Sequence, residues 1–114
     1  MKEHFGCPVQ ATSNVLSGKW KVLIVWKLSS SSHRFAELRD RLPGVSEKVL
    51  TSQLRELERD GIVRRIVTAS VPPRVDYMLA PAGKELAPIM KAMCDWATKH
   101  LGVKLMVDRA KIPA

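Results

Sequence analysis

The chain has 114 residues, 46% of them hydrophobic, with Lys+Arg 19 against Asp+Glu 11 and a formal net charge of +8. One domain with a real core is the expectation at this length, and disorder over most of the chain is excluded. The excess of cations suggests a polyanionic partner, nucleic acid first and an anionic membrane surface second, although solubility alone is served by charge of either sign. The opening Met1-Lys2-Glu3-His4-Phe5-Gly6-Cys7-Pro8 has no apolar signal-peptide region, and the longest apolar run, Val22 to Trp26, is far short of a membrane span. Two distant cysteines, Cys7 and Cys94, do not make a disulfide framework. A cytoplasmic location with reduced thiols and no membrane contact is expected.

Pro8 suits the first position of a helix that runs to about Ser17, where Gly18 breaks it. Lys19 to Leu28 is a second helix, apolar nearly all round and therefore central. Ser29 to Ser32 links it to a short third helix, Phe35 to Leu42, with Phe35, Leu38 and Leu42 on one face and Arg34, Arg39 and Arg41 around it. Pro43-Gly44-Val45 turns the chain into a fourth helix, capped by Ser46 and stopped at Asp60-Gly61. Two helices joined by so short a turn fit a helix-turn-helix. In the fourth helix Leu50, Leu54 and Leu57 share one face. Lys48, Thr51, Ser52, Arg55 and Arg59 lie opposite, with Glu47, Glu56 and Glu58 on the flanks. A carboxylate-free donor face on a leucine-anchored helix suits the major groove of DNA. The alternative is an ordinary amphipathic surface helix.

The period then changes. Ile62 to Thr68 and Val75 to Leu79 read as strands around the proline-stiffened loop Ala69 to Arg74, a β-hairpin wing. Ala82 to about Leu101 is the last helix, with Leu86, Ile89, Met90, Met93, Ala97 and Leu101 in one stripe and Ala92, Cys94 and Trp96 beyond it. Pro88 inside this segment predicts a kink, or a helix start closer to Pro88. Residues 103–114 have no clear pattern, so the division is a winged helix-turn-helix domain over 1–102 and a tail over 103–114.

Cys7-Pro8, Gly18-Lys19-Trp20, Arg34-Phe35-Ala36-Glu37-Leu38, Pro43 to Thr51, Leu54-Arg55-Glu56-Leu57-Glu58, Asp60-Gly61-Ile62-Val63, Val71 to Tyr77 and Gly83-Lys84-Glu85-Leu86 follow one another in order. Together they resemble the HxlR-type winged helix-turn-helix regulators, from Cys7 to Leu101. The resemblance implies a small dimeric bacterial transcription regulator related to the multiple-antibiotic-resistance (MarR) type. Its fold class is α+β, a winged helix-turn-helix with an added N-terminal helix and a long C-terminal dimerisation helix. Ala80-Pro81-Ala82 departs from the family, which more often has a threonine near that helix start; the departure concerns the helix cap. Some relatives of this type sense oxidants or electrophiles through a cysteine at the position matching Cys7.

The DNA-contact candidates are Lys19, Arg34, Ser46, Lys48, Thr51, Ser52, Arg55 and Arg74. Arg55 is the choice for a base or close phosphate contact, because a guanidinium can bridge guanine O6 and N7. Ser46 caps the fourth helix and can also meet a phosphate at its positive end. Lys19 and Arg34, at helix starts, can clamp phosphates or stay solvated. Arg74, at the wing base, can reach the backbone or minor groove, or pair with Asp76. Cys7, with His4 and Lys2 near in sequence, precedes a helix start, where the dipole favours an anion. It is a candidate redox sensor, or else a small hydrophobe in a dimer seam. Cys94 is expected to be packed.

The last helix carries more apolar residues than one face needs. Pro8, Met90, Met93, Trp96, Ala97 and Leu101 are therefore the expected dimer interface. Trp20, Trp26 and Trp96 are read as core rather than pocket lining. His4, His33 and His100 are scattered without ligand spacing, so no metal is expected. No nucleophile elbow, phosphate-cradling loop or isolated carboxylate pair argues for an enzyme, and no cofactor or catalytic residue is assigned. The reading is a homodimeric, sequence-specific regulator of transcription on a palindromic duplex operator, with an unidentified small-molecule effector. Its rival is a winged-helix module for protein–protein interaction without DNA.

Overall fold

Leucine spacing builds the centre of the molecule. Leu50, Leu54 and Leu57 of one helix are buried together with Ile24, Val25 and Leu28 of a second and Leu38 and Leu42 from the third. Each such side chain contributes about 1.5–3 kcal/mol on leaving water. The computed structural model describes residues 6–103. Its elements are α1 (Pro8–Val15), α2 (Lys19–Leu28), β1 (His33–Arg34), α3 (Phe35–Arg41), α4 (Glu47–Arg59), β2 (Val63–Thr68), β3 (Arg74–Leu79), α5 (Pro81–Lys84) and α6 (Ala87–His100). The expected tail lies outside the described residues apart from Val103, which is exposed.

The α+β winged helix-turn-helix is present, with α3 and α4 as its two helices and the β2–β3 hairpin as its wing. Trp20, Trp26, Phe35 and Tyr77 are half-buried against the core. Ser46 Oγ accepts the Val49 N–H at 3.1 Å, so the expected cap of α4 is made. Gly61, at φ 78°, ends that helix in the left-handed conformation that glycine adopts without strain.

The structure departs from the sequence reading in four respects. First, α1 stops at Val15, two residues early, its last turn closed by the Leu16 and Ser17 N–H groups. Second, His33 and Arg34 form a strand, antiparallel to β3 with His33 opposite Tyr77 and Arg34 opposite Asp76; the sheet order is β1-β3-β2. Two residues are too few to display a period. Third, the last helix is two, α5 and α6. Pro88 occupies the first turn of α6. In a continuous helix its ring would clash with the carbonyl of Lys84, which is where α5 ends. The missing threonine is made good by Pro81 at the first position of α5, which has no N–H to cap.

Fourth, the α6 stripe is narrower than expected. Only Leu86 and Met90 bury themselves in the core, whereas Ile89 and Met93 remain 50% and 54% exposed. Met90, at 4% exposure, belongs to the protomer's own core, which corrects its assignment to a dimer interface. Trp96, expected both among the core tryptophans and in the dimer interface, is 58% exposed and so lies outside the protomer's core.

Candidate nucleic-acid interface

The face of α4 opposite its leucines opens into a wide groove lined by Phe35, Glu47, Lys48, Thr51, Ser52, Arg55, Glu56 and Arg59. Lys48, Ser52 and Arg55 are exposed there, and Thr51 is half-buried. Two carboxylates, Glu47 and Glu56, border this groove, so it is not free of acids as the helical wheel suggests. Both are neutralised from neighbouring helices. Arg39 of α3 donates from Nη1 to Glu47, and Lys21 of α2 donates to Glu56 at 3.2 Å. The surface therefore keeps its cationic character.

A second cleft lies between α4 and the sheet, lined by Thr51, Leu54, Arg55, Glu58, Arg65 and Tyr77. Arg55 thus stands between two clefts. Arg65 is a cation that the sequence reading passed over. The signal for it is strand alternation: Arg65 shares a side of β2 with buried Val63 and sits opposite Tyr77.

The remaining candidates line neither cleft. Lys19 is exposed, its ammonium 4.7 Å from the centre of the Trp20 ring. Arg34 is exposed at the start of α3, and its backbone N–H donates to Glu37 at 2.9 Å. That hydrogen bond holds the Glu37 carboxyl below the ordinary carboxylate range. Arg74 makes the ion pair to Asp76 given above as its alternative, with Nε at 2.8 Å from Oδ2 and Nη2 at 3.3 Å from Oδ1. Those bonds hold Asp76 below its usual range and raise Arg74 further. Ser46 is exposed; its oxygen is spent on the cap, while its O–H remains able to donate.

Cys7 is exposed at the N-cap of α1 and makes no side-chain cap bond, so within the protomer it is not a packed hydrophobe. His4 and Lys2, its expected neighbours, lie outside the described residues. Cys94 is half-buried. His33 is buried, with Nδ1 2.8 Å from the Ser31 carbonyl, and His100 lies against Trp96 with ring centres 5.2 Å apart.

The outer face of α6 carries Ile89, Met93, Trp96 and His100, which at about 100° per residue point the same way. Leu101 is exposed beyond them, and Ala97 is half-buried. Pro8 and Val9 are exposed on α1, which buries none of its residues. Among the described residues no helix is long and apolar enough to cross a membrane.

The HxlR-like helix-turn-helix model matches residues 15–104. YdeP of Bacillus subtilis (strain 168), an uncharacterized HTH-type transcriptional regulator, is 43% identical over 95 residues, covering 83% of this chain and 74% of its own. A crystal structure of the HTH-type regulator YtcD superposes with a TM-score of 0.80 at 40% identity, over 86% of this chain and 100% of that one. The redox regulator HypR in its reduced form superposes with a TM-score of 0.78 at 40% identity, over 83% and 96%.

Proposed function

Because this chain belongs to the HxlR-like helix-turn-helix family, we propose that it is a transcription regulator that binds duplex DNA through α4 as a homodimer. The observation that carries this reading is the outer face of α4, where exposed Lys48, Ser52 and Arg55 share one groove whose two acids are already paired. A helix of this kind fits the major groove, with Arg55 bridging guanine O6 and N7 and Lys48, Thr51 and Ser52 beside it. The Ser46 hydroxyl and the α4 N-terminus meet a phosphate. Arg65 reaches the same duplex from the neighbouring cleft. Lys19 and Arg34 serve as phosphate clamps, and Arg74 joins them on leaving Asp76. The protein acts in the cytoplasm, where its DNA is.

Replacing Arg55 by alanine is expected to weaken binding to a selected operator by about 1–3 kcal/mol. The leucine face is untouched, so thermal unfolding should stay as in the parent. A mobility-shift titration giving equal operator affinity for both proteins would remove Arg55 from the interface. The protein–protein alternative is separated by salt. A DNA binder loses affinity steeply as salt rises, because phosphates recapture their counterions.

Two copies joined along α6 and α1 about a two-fold axis present two α4 helices to one side of the duplex. Their half-sites then lie roughly 34 Å apart and read as a palindrome. Cys7 is the proposed point of oxidant or electrophile sensing, supported by its exposure at a helix start and by the likeness to a redox regulator. Treatment with diamide or a quinone should change DNA affinity in the parent and leave a Cys7→Ser protein unaffected. A Cys7→Ser protein that still responds like the parent would dismiss this role.

A further inference from the structure

Of the three lysines in the apolar helix α2, Lys19, Lys21 and Lys27, only Lys21 is buried. Lys21 is only 6% exposed, yet a methionine would fill the same space. A buried ammonium is costly to the fold unless it is paired. Its partner is Glu56 of α4: Nζ lies 3.2 Å from Oε1, while Oε2 accepts from Gln53 Nε2 at 3.0 Å. The Glu56 side chain remains 36% exposed and lines the same groove as Lys48, Thr51, Ser52, Arg55 and Arg59. Lys21 does not line that groove.

We infer that Lys21 is a positioning residue for DNA binding, which holds the Glu56 carboxylate back against α2 and cancels its charge, so that the groove repels no phosphate. The inference rests on the DNA-binding reading of α4. An apolar side chain at this position would pack equally well and leave a free carboxylate among the cations that face the duplex. Gln53 would still donate to Glu56 but, being neutral, would not offset its charge.

The test is sequence-independent because the effect is electrostatic. The parent, Lys21→Met, Glu56→Gln and the double variant are titrated with a mixed-sequence duplex of about 25 base pairs across a salt series. At about 0.1 M salt Lys21→Met should bind about eightfold more weakly, with a salt slope about one unit shallower, as if one phosphate contact were cancelled. The double variant should return to within about twofold of the parent with the slope restored, and Glu56→Gln alone should not weaken binding. Lys21→Gln, which keeps a donor on Glu56 without the charge, should show the same loss and covers the case in which Lys21→Met fails to fold.

Equal losses in the single and double variants would mean that Lys21 matters only for packing, and would overturn the inference. So would parental affinity in both Lys21 variants. A parent that binds no duplex at any salt would overturn the DNA-binding reading itself, and the inference with it.

Discussion

Gly83→Ala is expected to destabilise the protein by about 3 kcal/mol, a large part of the roughly 5–15 kcal/mol that holds a domain folded. Gly83 is buried in α5, the turn that seats the last helix. A Cβ there would stand 2.2 Å from the carbonyl oxygen of Ile62 and 3.2 Å from its carbonyl carbon and Cγ2. The nearest obstacle is backbone, and that oxygen is held in place by the Ala80 N–H at 2.9 Å. Relief therefore requires α5 to back away from the start of β2, opening the contact that brings α6 onto the core. Gly61 is the contrast. Among the described residues, its own chain neighbours aside, no atom lies within 4 Å of an added Cβ there, so alanine meets only the strain of φ 78°, about 1–2 kcal/mol. Urea unfolding of the two variants beside the parent measures the difference. A Gly83→Ala protein within about half a kcal/mol of the parent would show that the turn yields freely.

Trp96→Ala should weaken self-association by about 3 kcal/mol, or about two orders of magnitude in the dimer dissociation constant. Trp96 is 58% exposed in the protomer and stands with Ile89 and Met93 on the outer face of α6. A contiguous apolar face of this kind is uncommon on a monomer, and a large aromatic near its centre is where interface energy concentrates. Loss of the indole should hardly alter unfolding of the isolated protomer, because Leu86 and Met90, not Trp96, join the core. Sedimentation at micromolar concentration reads the assembly. A mobility shift on one half-site against two reads its consequence, since only a dimer gains from the second. A parent that sediments as a monomer, or a Trp96→Ala protein that dimerises like the parent, would reject this face as the interface.

Elements whose causes are local can be read from neighbouring residues. Ser46 and Gly61 bound α4 through hydrogen bonds and a backbone conformation spanning a few residues. The spacing of Leu50, Leu54 and Leu57 chose its buried face, and so chose Lys48, Ser52 and Arg55 as the face shown to solvent. The change of period at Ile62 marked the wing, because strand and helix repeat differently. Pro88 signalled a kink or a helix start beside it, and α6 does begin at Ala87. Residues that meet only across the fold could not be read in this way. β1 exists because β3 pairs with it, and its two residues carry no period of their own. The side of α6 that meets the core depends on how α5 seats against Ile62, which is why Met90 turned inward and Ile89 outward. Glu47 and Glu56 read as free acids along α4 until Arg39 and Lys21 arrive from other helices. Arg65 joins Arg55 only because the wing folds back beside α4. Local hydrogen bonding and periodicity are written in neighbouring residues. Charge compensation and the choice between two apolar faces depend on which distant segments come within a few ångströms, and that was decided only when the chain closed on its core.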